Sequence, residues 1–243
     1  MGIINKIKKI IRLFLPYGII KISNSFKSGN IYFSEQGEDI LLKRYIKKKK
    51  GFYVDIGAYN PDIASVTKVF YLRGWNGINI DPNPVSIKIF NKKRKRDINL
   101  NYGVADKNSE LDFYFFGEKS TRNTFDKITY ENECESNKND VKILKINVMT
   151  INNILDKYTT NNQHIDFMNI DVENYEMKIL ETLNFEKYGP DYLLVEDLTF
   201  KDSNIDFMEF NKSPLFQIMK LKGYIVAAKT QYTILFKKLV YSK

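Results

Sequence analysis

The sequence predicts an α/β fold in which a mostly parallel, doubly wound sheet is closed by an antiparallel hairpin at its C-terminal end. Short apolar runs bounded by turn residues, such as 52–56 and 77–80, alternate with longer segments whose apolar residues recur at helical spacing. That alternation is typical of a parallel sheet with helices on both faces. The last two apolar runs, 224–228 and 233–237, follow each other without a helix between them and indicate the hairpin.

The individual elements follow from the same periodicities. Helices are predicted where apolar residues recur at helical spacing, at 34–49, 66–73, 84–95, 150–157, 176–183 and in part of 207–221. Strands are predicted where short apolar runs meet turn residues, at 52–56, 77–80, 98–104, 111–116, 167–171, 192–196, 224–228 and 233–237. The polar segment 117–141 is predicted to be a loop or lid.

Length and composition narrow the function classes. A chain of 243 residues fits one such domain, predicted at 31–243, behind a short N-terminal extension. The single cysteine, Cys134, excludes an internal disulfide and a cysteine-rich zinc site. The single histidine, His164, excludes histidine-rich metal sites and most histidine-based catalysis, and we expect it at the surface.

Residues 1–30 are predicted to form a basic amphipathic helix and a linker. Apolar residues recur there at helical spacing among lysines until Pro16 ends the pattern. Two roles stay open: contact of residues 1–20 with an anionic membrane surface or a partner, and docking against the domain's own sheet, which the short pattern favours. Because no apolar run approaches the roughly 20 residues that span a bilayer, we expect a cytoplasmic protein, either free or at the inner membrane face.

The first two strands end in residues suited to an adenosine ligand. The first ends in the segment VDIGAYN at 54–60, whose one glycine cannot form the pyrophosphate cradle of a dinucleotide site. Asp55 there offers a carboxylate to a cationic ligand. Asp81, after the second strand, can accept hydrogen bonds from both hydroxyls of a ribose. The pattern therefore favours an adenosine-containing ligand without a pyrophosphate.

Five ordered segments resemble the FkbM-type methyltransferase family, over about residues 32 to 236. They are SEQGED at 34–39, VDIGAYNP at 54–61, GWNGINIDP at 74–82, DINL at 97–100 and DFMNIDVE at 166–173. The resemblance implies a Rossmann-like methyltransferase fold, S-adenosylmethionine as the methyl donor, and O-methylation, often of sugars. Two residues depart from the family's pattern: Asp81 stands where glutamate is usual, and Asn174 stands where a glycine usually follows.

The same resemblance assigns roles in binding the methyl donor. Asp55, Gly57 and Ala58 would line its methionine side. Asp81 would hold the ribose. The remaining assigned residues would lie near the adenine or complete the pocket: Gly103, Val104, Gln36 and Asp39.

Carboxylates after the two following strands are candidates for the chemistry. A sugar hydroxyl is a weak nucleophile and benefits from a general base or a metal ion. Asp171, Glu196 and Asp197 would form an oxygen-rich Mg²⁺ site, with Glu173 as the general base, similar to metal-dependent sugar O-methyltransferases. In the alternatives, Asp171 or Glu173 is a base without a metal, and Glu196 and Asp197 cap the next helix.

Two basic features are candidates for substrate contact. The run from Lys92 to Arg96 and Arg122, in the predicted lid, would meet the diphosphate of a nucleotide sugar or an anionic glycan. The alternative, which the position of the run at a helix end favours, is a solvated surface. Arg122 is the preferred contact because it lies in the predicted lid.

The leading functional hypothesis is a bacterial O-methyltransferase acting on a carbohydrate, either a nucleotide-linked sugar or a surface glycan such as capsule or lipopolysaccharide. An RNA or protein methyltransferase is the alternative that the net charge of +9 would suit. We expect no nucleic-acid partner, because aromatic residues are not interleaved with the basic runs. A non-enzymatic module is disfavoured by the intact acids Asp55, Asp81, Asp171 and Glu173.

Overall fold

The computed structural model describes residues 32–118, 120–136, 141–160, 162–200 and 207–239. The helix and linker predicted at 1–30 lie outside these residues. Within them, no helix combines the length and the apolar character needed to cross a membrane. In chain order the elements are α1 (Glu38–Tyr45), β1 (Phe52–Ile56), α2 (Lys68–Leu72), β2 (Asn76–Ile80), α3 (Pro84–Lys93), β3 (Ile98–Leu100), β4 (Gly103–Val104), β5 (Ser109–Phe115), α4 (Lys127–Ser136), β6 (Lys142–Met149), α5 (Ile151–Tyr158), β7 (Phe167–Ile170), α6 (Glu176–Thr182), α7 (Phe185–Tyr188), β8 (Tyr192–Glu196), a 3₁₀ helix (Leu198–Phe200), α8 (Phe207–Phe210), α9 (Pro214–Leu221), β9 (Tyr224–Lys229) and β10 (Thr233–Lys238).

The main sheet has seven strands in the order β3-β2-β1-β7-β8-β10-β9. The first five strands in this order are parallel to one another. Strand β10 pairs antiparallel with both β8 and β9, so the predicted C-terminal hairpin is confirmed. The mostly parallel sheet is confirmed as well. Strand order reverses direction between β1 and β7, and ligands of such sheets bind outside the carboxyl ends of the strands at that point.

Helices cover both faces of this sheet because its central strands are apolar on both sides. All five residues of β1 are buried. Val54 and Ile56 pack into one core layer, which includes helices α5 and α6. Tyr53 faces the opposite layer, where it joins Trp75 and residues of α1 and α2. This two-sided burial is the reason that the parallel strands read as continuous apolar runs in the sequence.

A second sheet, of three strands in the order β4-β6-β5, was not predicted. The strand predicted over 98–104 divides into β3 and β4, which belong to different sheets. The chain turns between them at Asn101, whose side chain donates to the carbonyl oxygens of Asp81 (3.0 Å) and Pro82 (2.8 Å). The sequence pattern does not predict β6, because lysines and an asparagine interrupt its apolar residues and much of it is exposed.

The loop predicted over 117–141 is wrong for residues 127–136, which form α4. This helix has almost no apolar periodicity, so the sequence pattern does not reveal it. It is held instead by local contacts. The carboxylate of Asp126 accepts hydrogen bonds from the backbone and hydroxyl of Thr129 (2.9 and 2.7 Å), and the ring of Tyr130 stacks on Tyr114 with the ring centres 4.2 Å apart.

Candidate functional site

A cavity of about 310 Å³ opens at the carboxyl ends of the parallel strands. It extends across the ends of β2, β1, β7 and β8 to the β9–β10 hairpin, and the segment between β5 and α4 covers part of it. Aspartates or glutamates lie at or beside the carboxyl ends of β1, β2, β7 and β8. The cavity therefore lies at the edge of the sheet where the sequence places its candidate binding and catalytic residues.

Gly57 brings the two halves of the cavity together at the point where strand order reverses. Its φ is +80°, and a Cβ atom built on it would lie 1.6 Å from the carbonyl oxygen of Asp171. The backbone N–H groups of Gly57 and Ala58 both donate to the carbonyl oxygen of Ile80 (2.9 and 3.1 Å). Only glycine combines this backbone conformation with so close a contact. The ends of β1, β2 and β7 are thereby held within one small space.

Asp55 is a buried wall residue that ties neighbouring elements together. Its carboxylate accepts hydrogen bonds from the Thr67 hydroxyl (2.9 Å), before α2, and from the Asn169 side chain (3.0 Å), on β7. Burial raises the pKa of Asp55, and the hydrogen bonds from Asn169 and Thr67 oppose that rise. Asp55 therefore lines the cavity and links β1 to β7 and to the start of α2.

Asp81 is held rigidly at the end of β2. One carboxylate oxygen accepts from the backbone N–H of Tyr59 (2.8 Å), and the other accepts from the backbone N–H of Asn83 (2.8 Å). Because a carboxylate oxygen has more than one lone pair, each can still accept a bond from a ligand hydroxyl. Burial raises the pKa of Asp81 to about 6. The fixed geometry suits a pair of neighbouring hydroxyls.

Asp171, Glu173 and Glu196 form a carboxylate cluster at the ends of β7 and β8. One carboxylate oxygen from each lies within 4.8 Å of the other two. Asp171 is surrounded by protein atoms, yet its side chain remains accessible because it opens onto the cavity. Burial first, and then the charges of Glu196 and Glu173, raise the pKa of Asp171 well above its ordinary value. Burial and the same kind of repulsion raise the pKa of Glu196 to about 8. The three side chains therefore disfavour one another's charged forms.

The turn after β7 aims Glu173 into the cavity through an unusual backbone. Glu173 and Asn174 both have positive φ, at 53° and 80°. Asparagine tolerates this conformation better than most residues, which explains why it can replace the glycine usual at 174. For Glu173 the conformation costs energy of order 1 kcal/mol, and such strain is typical of functional sites. The Thr124 hydroxyl donates to the Glu173 carbonyl oxygen (3.1 Å), and so joins the covering segment to this turn.

The covering segment itself was predicted only as a loop or lid. Residues 120–126 include four cavity-lining polar residues that the sequence did not single out: Ser120, Thr121, Asn123 and Thr124. Phe125 adds an apolar wall and packs on Phe113, with the ring centres 4.9 Å apart. No motif distinguishes these residues in the sequence. They reach the cavity through the backbone pairing of Thr124 with Tyr114.

The structure places the predicted donor-binding residues in two groups. Those that line the cavity are Asp55, Gly57, Ala58, Asp81, Val104 and Gln36. Gln36 also accepts a hydrogen bond from the backbone of Tyr232 (3.1 Å). Gly103 lies behind Phe125, whose ring would be 2.5 Å from a Cβ atom there. Asp39 is fully buried outside the cavity and accepts from the Phe33 backbone and the Ser34 hydroxyl, each at 3.0 Å.

Asp197 does not join the proposed metal ligands. Its carboxylate accepts from the backbone N–H of Thr199 (2.8 Å) and caps the 3₁₀ helix, a role that the alternative interpretation gave to Glu196 as well. Glu173 occupies the third position beside Asp171 and Glu196 instead. The sequence pattern reveals which acids follow a strand, but not which of their side chains line the cavity.

Arg122 is not among the residues that line the cavity. It is half exposed, and its guanidinium pairs with Glu133 on α4 (Nη1 to Oε2, 2.6 Å). Its neighbours Thr121 and Asn123 line the cavity, and a substrate contact by Arg122 stays a prediction. His164 is exposed, as predicted, and pairs with Asp191 (2.9 Å) before β8, at the opposite edge of the sheet.

A family model described as the methyltransferase FkbM domain matches residues 55–226, which include the ends of β1, β2, β7 and β8. No curated protein matches the sequence significantly. This family match agrees with the resemblance carried by the sequence motifs.

Three solved structures show weak similarity to the chain. The FkbM methyltransferase of Methylobacillus flagellatus has 12% identity and a TM-score of 0.45, over 84% of this chain and 48% of its own. A TehB-like SAM-dependent methyltransferase from Corynebacterium glutamicum has 9% identity and a TM-score of 0.42, over 91% and 96%. The N-terminal domain of human METTL16 has 11% identity and a TM-score of 0.41, over 83% and 66%. The chain thus spans about half the length of the first of these proteins.

Replacing Gly57 by alanine is expected to destabilise the protein strongly, because the new methyl group would meet the Asp171 carbonyl. Gly37 is a matched control: its φ is +85°, but nothing lies within 4 Å of its Cβ position. We expect G37A to lower the free energy of unfolding by about 1 kcal/mol and G57A by roughly 3 kcal/mol or more. Chemical denaturation of both variants measures the difference, and equal losses would contradict the role of the close contact.

The raised pKa of Asp81 predicts pH-dependent binding of a ribose diol. If the ionised carboxylate accepts both hydroxyls, as the sequence predicts, its protonation below about pH 6 would weaken binding. Between about pH 7.5 and pH 5 we expect affinity for S-adenosylhomocysteine to fall about tenfold, by proton linkage. Calorimetric titration tests this. In the control D81N, binding at neutral pH should be weaker and the pH dependence smaller; an unchanged pH dependence in D81N would exclude Asp81 as its source.

Proposed function

This chain belongs to the FkbM methyltransferase family, and we propose that it transfers a methyl group from S-adenosylmethionine to a hydroxyl group of a carbohydrate. One observation carries the proposal. The carboxylate cluster of Asp171, Glu173 and Glu196 lines the same cavity as Gly57 and Asp81. A site for an adenosine-containing donor thereby adjoins a site that can accept a proton from a hydroxyl.

The donor would occupy the half of the cavity over β1 and β2. The rigid carboxylate of Asp81 would accept the two ribose hydroxyls. Val104 and Phe113 provide apolar contacts for an adenine ring, and Gly57 leaves space for the ligand to approach the backbone. In this orientation the sulfonium end would lie toward Asp171, which lies against Gly57. The negative carboxylates there would favour the sulfonium's positive charge.

Methyl transfer from a sulfonium is an in-line displacement: the acceptor oxygen forms a bond to the methyl carbon as the carbon–sulfur bond breaks. The protein contributes mainly by aligning the two reactants. Glu173 would take the hydroxyl proton as general base, and the strained turn that carries it fixes its direction. Asp171 and Glu196 would accept hydrogen bonds from neighbouring sugar hydroxyls and so orient the ring.

The carboxylate cluster also fits a divalent cation. Three carboxylate oxygens close together are a donor set that Mg²⁺ prefers, and Glu196 has a buried oxygen with no hydrogen-bond partner among the described residues. The ligands would then be Asp171, Glu173 and Glu196. When bound there, Mg²⁺ would lower the pKa of a coordinated sugar hydroxyl. In this alternative Glu173 is a metal ligand and not the general base. Methyl transfer would then require Mg²⁺, whereas with a bare base it would not.

Substitutions in the carboxylate cluster should remove methyl transfer while leaving the donor bound. For D171N and E173Q we expect kcat to fall about 100-fold or more, the usual contribution of a general base. Affinity for S-adenosylhomocysteine should change by less than about threefold, because Asp81 and Gly57 are intact. D197N is the matched control, since Asp197 is adjacent in sequence to Glu196 but only caps a helix. The rate of S-adenosylhomocysteine release with a panel of sugars gives kcat for all three variants.

A parallel assay with Mg²⁺ and with EDTA separates the two forms of the proposal. If turnover is lost in EDTA and restored by Mg²⁺, the carboxylate cluster acts with a metal ion. If EDTA has no effect, Glu173 or Asp171 acts as a base alone. Full activity in both D171N and E173Q would contradict the proposed function of this cluster. Turnover on RNA or protein, with none on any sugar, would replace the carbohydrate proposal.

A further inference from the structure

The acceptor half of the cavity is lined by acidic side chains. Five of the lining residues near β7, β8 and the β9–β10 hairpin are glutamates or aspartates: Glu35, Glu38, Asp171, Glu173 and Glu196. Among the residues that the structure describes, no lysine, arginine or histidine lines the cavity. This composition contrasts with the chain as a whole, which has a formal charge of +9.

The densest basic run, from Lys92 to Arg96, lies at the wrong edge of the sheet to meet a ligand in the cavity. Helix α3 starts beside the cavity, where Asn83 and Ser86 line it. Over its 10 residues the helix then runs about 15 Å toward the amino edge, where β3 begins.

Members of this basic run also have internal partners. Arg94 is 2% exposed and donates to the Pro61 carbonyl (2.6 Å) and the Ser65 hydroxyl (3.1 Å). Lys93 pairs with Asp62. Arg122, the other predicted anion contact, pairs with Glu133 outside the cavity lining. Neither candidate for holding a diphosphate lines the cavity in this structure.

From these placements we propose that the acceptor is a sugar that carries no phosphate or other anionic group. This inference rests on the proposed carbohydrate function and selects a substrate class within it. Hydroxyl groups of an uncharged sugar donate to carboxylates, which the cavity supplies in excess. A diphosphate would be repelled by the same carboxylates. A divalent cation bound at the carboxylate cluster would offset only two of the five acidic charges, so the repulsion would remain.

Matched pairs of acceptors test the proposal. Each pair presents one sugar as its nucleotide diphosphate and as an uncharged glycoside: UDP-glucose with methyl glucoside, UDP-N-acetylglucosamine with chitobiose, and GDP-mannose with methyl mannoside. Mg²⁺ is present throughout. For any pair that is methylated, we expect kcat/KM to be at least about tenfold higher for the uncharged member. Because salt screens like-charge repulsion, this ratio should shrink between about 50 and 500 mM salt.

A charge reversal at the cavity sharpens the test. Glu35 lines the cavity and is exposed. E35K should raise kcat/KM for the nucleotide-linked member relative to the uncharged member by about threefold or more, since it removes one negative charge and adds a positive one. E110K makes the same change on β5, away from the cavity lining, and should leave that ratio unchanged.

The results distinguish failure of the uncharged-acceptor inference from failure of the carbohydrate proposal. Preferential methylation of the nucleotide-linked members by the unmodified protein would overturn the inference and leave the carbohydrate proposal standing. Binding of UDP at micromolar concentration, in competition with an uncharged acceptor, would overturn it as well. No methylation of any sugar, despite tight binding of S-adenosylhomocysteine, would overturn the carbohydrate proposal and this inference with it.

Discussion

The contact between Gly57 and the carbonyl oxygen of Asp171 is the constraint on which the site depends. A Cβ atom at position 57 would lie 1.6 Å from that oxygen, so the ends of β1 and β7 can approach this closely only with glycine there. The contact lies where strand order reverses, the position at which sheets of this kind bind ligands. It sets the proposed donor residues on one side and the carboxylate cluster on the other.

The acids of the cavity are held at an energetic cost that a ligand can offset. Burial raises the pKa of Asp81, Asp171 and Glu196, which means that their charged forms are disfavoured in the unliganded protein. In the proposed function, a different group would stabilise the charged form of each. Ribose hydroxyls would solvate Asp81, whereas the sulfonium charge, sugar hydroxyls or a divalent cation would stabilise the other two. The strained backbone at Glu173 adds to this cost.

The sequence predicts the elements that are buried on both sides. It does not predict elements that form through local contacts or that are largely exposed. The main strands and the hairpin are readable because continuous apolar runs end at turn residues. Helix α4 and strand β6 lack that signal, since α4 is held by Asp126 and ring stacking and much of β6 is exposed. For the site, strand ends reveal Asp55, Asp81, Asp171 and Glu196 as candidates. They do not reveal that Asp39 and Asp197 lie outside the cavity lining, where each accepts a hydrogen bond from a backbone N–H group. Nor do they reveal that polar residues of 120–124 reach the cavity.

A crystal structure with S-adenosylhomocysteine is the most direct test of the claim that donor and carboxylate cluster share one cavity. The quantities to measure are the distances from the ribose hydroxyls to Asp81 and the direction of the sulfur relative to Asp171 and Glu173. We expect hydrogen bonds of about 2.6–3.2 Å at Asp81 and a sulfur that faces the carboxylate cluster, with room for a hydroxyl between them. A ribose bound away from Asp81, or a sulfur facing the opposite direction, would contradict the claim.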